Sequence, residues 1–326
     1  MVKVQNIGVL TSGGDSPGMN AAIRAVTRAA VYHGLRVYGF EDGYRGLLEQ
    51  NFRKLKYDDV SNILQRGGTI LGTARCPEFL EESNRKIAYE NLQRLGIDAL
   101  VTIGGDGTFA GAVQFSKEHP ISVIGIPGTI DNDINGTDYT IGFDTALNNI
   151  IDAVDKIRDT ASSHHRVFLV EVMGNNSGVL ALHSAAASGA EEVFMPEKTE
   201  DLVDIKQKIQ RAVDANKSSI IIISEGDQIG GAKEVYESLQ DKVLQEKIRV
   251  TVLGHIQRGG IPTYLDRLNA TLFGEHAVVA LLKGKTNIMV GKQGNQIVEV
   301  DLTKATTKEQ VDHMHYLKLI RKLSVY

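Results

Sequence analysis

Six short segments of this 326-residue chain mix glycine with polar groups, and all but the fourth include an acid or a base: TSGGDSPGMN (11–20), IGGDGT (103–108), IPGTIDND (126–133), VMGNNSG (172–178), ISEGD (223–227) and LGHIQRGG (253–260). In the first, Gly13, Gly14 and Gly18 allow backbone to approach a phosphate closely, and a helix beginning just beyond adds N–H donors and a favourable dipole. Gly13 and Gly18 have the spacing of a nucleoside-triphosphate loop, but Met19 stands where that loop needs lysine, and G-x-G-x-x-G is absent. Ordinary turn chemistry at Pro17-Gly18 accounts for this segment equally well.

The other segments add acids and bases. Asp106 lies among glycines, which suits a carboxylate sharing a divalent cation with phosphate oxygens; it also suits a helix cap. Asp131 and Asp133 are separated by one residue, so in extended backbone they point the same way and can divide proton transfer between them. Taken alone, that Asx-rich stretch reads more readily as a turn, with Asn135-Gly136 a second turn beyond it. Arg75, on GTARCPEF (72–79), presents a planar fork of donors to a phosphate, though a solvated arginine is commoner. His255, Arg258, Arg166 and Arg249 supply further cationic or imidazole groups of the kind an anionic sugar phosphate requires. The single cysteine, Cys76, reads as a small packing residue.

Elements that place these groups follow from periodicity. NIGVL (6–10), 36–40, ALVTIGG, ISVIGIPG, RVFLVEVMG and SSIIIISEG are short runs rich in Val and Ile, apolar on both faces. Helical spacing appears over 20–33, 78–95, 108–118, 144–158 and 201–215. Alternating units of this kind predict a doubly wound α/β fold with mainly parallel sheets. Residues 287–301 predict a hairpin around a Gly-Asn turn, followed by a terminal helix from about Thr307. Every polar glycine cluster falls just after a strand, the edge where open α/β sheets bind ligands. Turn closure explains one or two such clusters, but not acids and bases in nearly all.

Composition narrows the class. The length points to two domains, and 42% hydrophobic residues suffice for real cores. Thirty-six basic against 40 acidic residues, without a like-charge block, argue against a non-specific nucleic-acid binder. One cysteine fits a reducing compartment, no apolar run reaches the ~18 residues of a membrane span, and no secretory signal is read at the N-terminus. The expectation is a cytoplasmic protein with neither membrane nor nucleic-acid partner.

In this order TSGGDSPGMNAAIRA, GGDGT, PGTIDNDI, KIRDTASSH and LGHIQRGG resemble the bacterial-type ATP-dependent 6-phosphofructokinases, from about Asn6 to the C-terminal helix. The resemblance implies two doubly wound α/β/α domains with the active site in the cleft between them. These are an ATP-binding domain (1–142 and 257–307) and a fructose 6-phosphate-binding domain (143–256 and 308–326). It also implies glycolytic transfer of the γ-phosphoryl of Mg²⁺-ATP to the sugar 1-hydroxyl. Gly14, Tyr44, Arg75, Cys76, Phe79, Asp106, Gly107, Thr108 and Gly111 match the family's ATP site, with Asp106 holding Mg²⁺ and Arg75 bridging the transferred group. Thr129, Asp131 and Asp133 match the catalytic loop, with Asp131 as base. Met173, Gly174, Glu225, His255 and Arg258 match the fructose 6-phosphate site. Arg166 and Arg249 match arginines supplied by a neighbouring subunit, which implies a homotetramer with shared active sites.

Gly107 and Gly128 favour ATP, since pyrophosphate-using relatives carry Asp and Lys there. Two departures from the pattern stand out. Asn175 occupies the place of an arginine near the catalytic acids, which predicts reduced turnover. Arg24, Arg28, Arg158 and Glu191 match the allosteric nucleotide site, but its basic pair falls on Asp214 and Asn216, with Lys217 the nearest cation. Like-charge repulsion from Asp214 predicts weak or absent ADP activation and phosphoenolpyruvate inhibition. The alternatives are a pyrophosphate-dependent or broader sugar-phosphate kinase, and a non-catalytic regulatory homologue. A nicotinamide oxidoreductase shares the fold class but lacks its fingerprint.

Overall fold

The computed structural model describes residues 4–198, 202–214, 218–307 and 314–324. Its chain forms two compact units, Met1–Thr145 with Arg258–Glu309, and Ala146–Gln257 with Gln310–Tyr326. The strands are β1 (Asn6–Ser12), β2 (Arg36–Phe40), β3 (Phe52–Leu55), β4 (Ala99–Gly104), β5 (Ser122–Thr129), β6 (Ile141–Gly142), β7 (Val167–Val172), β8 (Glu192–Phe194), β9 (Ser219–Ser224), β10 (Ile248–Val252), β11 (Ile288–Gln293) and β12 (Gln296–Asp301).

In the first unit the sheet order is β12-β11-β5-β4-β1-β2-β3, with β6 paired to the end of β5. The inner strands are parallel, while β3 and β12 close the two edges antiparallel. All residues of β1 and of β4 are buried, as parallel strands covered on both faces must be. Residues 288–301 form the expected hairpin, Gln293 pairing Gln296 across Gly294-Asn295. One face is covered by the helices Met19–Tyr32 and Tyr264–Leu282, whose Ala22, Val26, Phe273 and Ala277 join one core. Their backbones come close at Gly274, where a Cβ would lie 2.6 Å from that of Ala25.

The second unit holds an all-parallel sheet of order β10-β7-β9-β8. Every residue of β9, SIIIIS, is buried. Ile205, Ile209 and Ala212 of the helix Leu202–Asp214 cover the sheet beside Val235 of a second helix. The helix expected over 201–215 is described from Leu202 to Asp214, and positions 201 and 215 lie outside the described residues. The terminal helix is described over Met314–Leu323, so its expected start near Thr307 falls next to residues outside the description.

One expectation needs correction. Residues 78–95 are not one helix: a 3₁₀ turn, Pro77–Leu80, ends at extended Glu81 before the helix Glu82–Arg94 begins. The segment around Asp131 and Asp133 is the turn that its Asx content favours over extended backbone, with Asn132 left-handed at φ 50°. Asparagine tolerates that region, and the turn breaks the alternation that would have aligned the two acids. Among the described residues, no helix is long and apolar enough to cross a membrane.

Candidate active site

Strand register sets the first edge of the site. Ser12 of β1 pairs Gly104 of β4, and Gly104 pairs Pro127 of β5, so the segments after these three adjacent parallel strands start side by side. The sheet reverses its order between β1 and β4, where crevices form at the carboxyl ends of strands. The loop after β1 is pinned from several directions. Thr108 Oγ1 donates to Ser12 O at 3.0 Å, Thr73 Oγ1 to Gly13 O at 2.9 Å and Arg258 Nη1 to Asp15 O at 3.1 Å. Arg258 lies so close that a Cβ on Gly14 would meet its Nη1 at 2.2 Å, so a larger residue there would displace the guanidinium. Asn20 in turn accepts from Ile70 N and donates to the carbonyls of Arg66 and Gly67, tying down the segment that leads to Arg75.

Asp106 opens the helix Asp106–Glu118 and is exposed; its Oδ1 accepts from Gly107 N at 2.7 Å. A Cβ at Gly107 would meet no heavy atom within 4 Å, so the space beside this carboxylate is open. Among the described residues no three His, Cys, Asp or Glu side chains cluster as metal ligands. A lone carboxylate beside open space fits Mg²⁺, a hard cation that keeps most of its water and takes the rest of its oxygens from a phosphate.

Tyr44, Phe79, Thr108 and Gly111 come together. Tyr44 is buried, donates to Thr108 O at 2.5 Å and stacks on Phe79 with ring centroids 4.1 Å apart. Burial pushes its phenol pKa far above the ordinary tyrosine value, so it remains a donor. A Cβ on Gly111 would press on the Tyr44 ring at 3.1 Å. Cys76 packs at the margin of the same cluster, its thiol pKa raised first by burial, as a packing residue's should be. The Arg75 side chain is exposed on the adjoining segment.

The loop after β5 carries the candidate base. Thr129 Oγ1 accepts from Asp131 N at 3.2 Å. Asn132 Oδ1 accepts from Thr140 N at 2.8 Å, and Thr140 Oγ1 donates to Thr129 O at 2.6 Å. The loop is thereby closed across its base, where β6 pairs Gly128 with Ile141 and Thr129 with Gly142.

A second edge arises in the other unit. Val172 of β7 pairs Ser224 of β9, and Glu171 pairs Val252 of β10, which brings Met173, Gly174, Glu225 and His255 to one end of the sheet. Glu225 Oε1 accepts from Asn175 N at 3.0 Å, and buried Gln257 accepts from Met173 N at 3.1 Å. His255 is exposed. Arg166 and Arg249 both donate to Glu246 O, at 2.5 and 3.2 Å. With Lys242, Lys247 and the acidic Glu246 they line an open cavity of about 550 Å³. Four cationic residues against one acidic residue favour an anion there.

The matches to the effector site are engaged within their own units. Arg158 pairs with Glu191 at 3.3 Å and donates to Ser188 O and Gly189 O, while Glu191 also accepts from Ile220 N. Arg28 donates to Ser61 and lies over the Tyr57 ring. Arg24 has its pKa lowered, first by burial and then by Arg28. Asp214 is exposed and accepts from Gln210; Asn216 and Lys217 lie outside the described residues.

Sequence reasoning missed several residues that shape these loops. Arg85 holds the Phe79 turn through its carbonyls and pairs bidentately with Glu118. Asn132 and Thr140 close the loop around Asp131. Asp266, buried, receives Gly142 N and Thr145 N. Thr263-x-x-Asp266 has the spacing of a helix-capping pair, a signal visible in the sequence. Nothing comparable marks Arg85.

Glycine loops and an acid at a helix start, set on the carboxyl edge of a parallel sheet, are the parts of a phosphate-handling α/β enzyme. The chain belongs to the phosphofructokinase family, whose model, described as Phosphofructokinase, matches residues 6–281. It is 49% identical over 326 residues to ATP-dependent 6-phosphofructokinase 2 of Bacteroides thetaiotaomicron, covering 100% of both chains. It is 50% identical over 323 residues to ATP-dependent 6-phosphofructokinase of Halalkalibacterium halodurans, covering 99% of this chain and 100% of that one. Among solved structures, a phosphofructokinase from Saccharomyces cerevisiae superposes with a TM-score of 0.84 at 37% identity, covering 98% of this chain and 47% of that longer one.

Proposed function

We propose that this chain is an ATP-dependent 6-phosphofructokinase, transferring the γ-phosphoryl group of ATP to the 1-hydroxyl of fructose 6-phosphate to give fructose 1,6-bisphosphate and ADP. The observation that carries the reading is the alignment of Ser12, Gly104 and Pro127 at one edge of the sheet. It starts the glycine loop, the Asp106 helix and the Asp131 loop from neighbouring strand ends. The unit built on β1, β4 and β5 takes ATP, and the unit built on β7, β9 and β10 takes the sugar phosphate.

Phosphoryl transfer asks mainly for positioning and for neutralising charge on the transferred group. Asp131 accepts the proton of the 1-hydroxyl as that oxygen bonds to the γ-phosphorus and the bond to the ADP oxygen breaks. Asp133 and Thr129 orient the acceptor and the base. Arg75 neutralises charge on the transferred oxygens, and Asp106 would hold Mg²⁺, which supplies charge neutralisation on the nucleotide phosphates when bound. Tyr44, Phe79, Cys76, Gly14, Gly107, Thr108 and Gly111 form the nucleotide's surroundings. Met173, Gly174, Glu225, His255 and Arg258 bind fructose 6-phosphate, and Arg166 and Arg249 serve the substrate of a neighbouring copy in a homotetramer.

Donor choice follows from Gly107. The open space over its Cα accommodates a nucleotide, whereas an aspartate there would fill it with negative charge. The protein acts in the cytoplasm. Its effector response is weak, because Glu191 is committed to Arg158 and Ile220 and Asp214 replaces a cation. The test is a coupled assay of fructose 6-phosphate phosphorylation, run with ATP and with pyrophosphate and with Asp131→Asn as control. ATP-dependent turnover lowered about 10²–10⁴-fold in Asp131→Asn supports the reading. Turnover with pyrophosphate alone, or none with either donor, overturns it.

A further inference from the structure

The loop that carries Asp131 ends on β6, and β6 is held from the far side by a residue with no assigned role. Asp266 is 1% exposed, in the first turn of the helix Tyr264–Leu282. Its Oδ1 accepts from Gly142 N at 2.8 Å. Its Oδ2 accepts from Thr145 N at 2.8 Å and from Thr145 Oγ1 at 2.5 Å. That hydroxyl in turn accepts from Thr263 N at 3.0 Å, the amide a capping pair would have returned to Asp266. The carboxylate therefore leaves its own helix and closes a neighbouring turn.

The position of that turn matters for two loops. Gly142 pairs with Thr129, whose side chain holds the Asp131 amide. On its other side β6 lies against the phosphate-loop segment. A Cβ on Gly142 would meet that of Ser16 at 2.5 Å, and one on Gly18 would meet Ile141 Cγ2 at 2.6 Å. Three donors converge on Asp266, and only a carboxylate offers acceptors to all of them. An asparagine would turn its NH₂ toward Gly142 N or toward Thr145, leaving a buried donor facing a donor. Asp144 is the charged neighbour that acts on Asp266, and it repels.

We propose that Asp266 is a positioning residue for phosphoryl transfer: it fixes β6, and through β6 it sets the catalytic loop 129–142 against the phosphate loop. This rests on the kinase reading above. Displacing a base by about 1 Å can cost about 10²-fold in rate.

The experiment compares the wild type with Asp266→Asn and Thr145→Val, at a temperature where all three are folded. Steady-state kinetics with ATP and fructose 6-phosphate are combined with amide hydrogen exchange of residues 129–142. In Asp266→Asn, kcat is expected to fall about 10²-fold, with both KM values within about threefold of the wild type. Exchange of the loop amides is expected to quicken while that of β1 and β4 is unchanged. Thr145→Val, which removes one of the three donors to Asp266 and the acceptor of Thr263 N, should lower kcat by roughly tenfold and quicken the same amides. A folded Asp266→Asn with wild-type kcat, or with unchanged loop exchange, overturns the proposal. Should Asp266→Asn fail to fold, wild-type kcat in Thr145→Val overturns it. If the wild type itself shows no ATP-dependent turnover, the kinase reading fails, and loop exchange alone decides whether Asp266 holds the loop.

Discussion

The phenol of Tyr44 donates to the carbonyl of Thr108 at 2.5 Å while its ring lies stacked on Phe79. One side chain thus ties the start of the helix Asp106–Glu118 to the 3₁₀ turn after Cys76, two segments far apart in sequence. Both carry residues assigned above to the nucleotide.

Tyr44→Phe keeps the stack and removes the hydrogen bond. The expected loss of stability is about 1 kcal/mol, read from denaturant unfolding. Because the bond orders binding residues and touches no reacting atom, KM for ATP should rise about three- to tenfold with kcat nearly unchanged. A fall in kcat at constant KM would place Tyr44 in the chemistry instead.

Arg85 makes a second tie on the same turn. Its guanidinium, 8% exposed, donates to Phe79 O and Leu80 O and bidentately to Glu118. Removing one partner of a buried pair strands the other, so Arg85→Ala should cost roughly 3 kcal/mol. Arg85→Lys should recover little, lacking the fork. The Arg85 hydrogen bonds hold the Glu118 carboxyl below its ordinary value of 4.5. Its stabilisation is thus complete above that pH and is lost as pH falls below it. Thermal melts of wild type and Glu118→Gln between pH 3 and pH 7 check this; curves that stay parallel contradict it.

Asn175 is left-handed at φ 52°, exposed, with its amide held by Glu225. An arginine there would restore the charge that the resemblance expects near the catalytic acids. It would also place a longer side chain in a backbone region that asparagine tolerates better, at about 1 kcal/mol of stability. The expected result for Asn175→Arg is a three- to tenfold gain in kcat with a slightly lower melting temperature. No gain in a folded variant removes Asn175 as the reason for slow turnover.

Much of this was legible in the sequence. Runs such as SIIIIS and NIGVL could only be buried parallel strands, and polar glycine clusters after them had to lie at carboxyl edges. What escaped were residues whose partners are remote. The helix Tyr264–Leu282 has apolar residues around most of its surface, so no single stripe marked it. Edge strand β3, FRKL, is too short and polar to be recognised. The turn at Asn132 was legible from its Asx-rich stretch, but its closure by Thr140, eight residues on, was not, because no local pattern predicts that pairing. Asp266 did carry a local signal, but it pointed to a helix cap, whereas the carboxylate serves another element.

That misdirected carboxylate has a thermodynamic signature of its own. Burial raises the Asp266 pKa from 3.8 to about 6, against the opposing pull of the Thr145 and Gly142 donors. The native state therefore binds this proton more tightly than the unfolded chain does. Between about pH 4 and pH 6 the native state holds more of the proton, so this group's contribution makes stability fall as pH rises. A shift of this size corresponds to at most about 3 kcal/mol across the window. Asp266→Asn cannot titrate, so the difference in unfolding free energy between it and the wild type should change by up to that amount from pH 4 to pH 6. The wild type should lose ground as pH rises. Denaturant unfolding of both proteins at several pH values reads this directly, and a difference independent of pH would mean that the buried carboxylate stays ionised throughout.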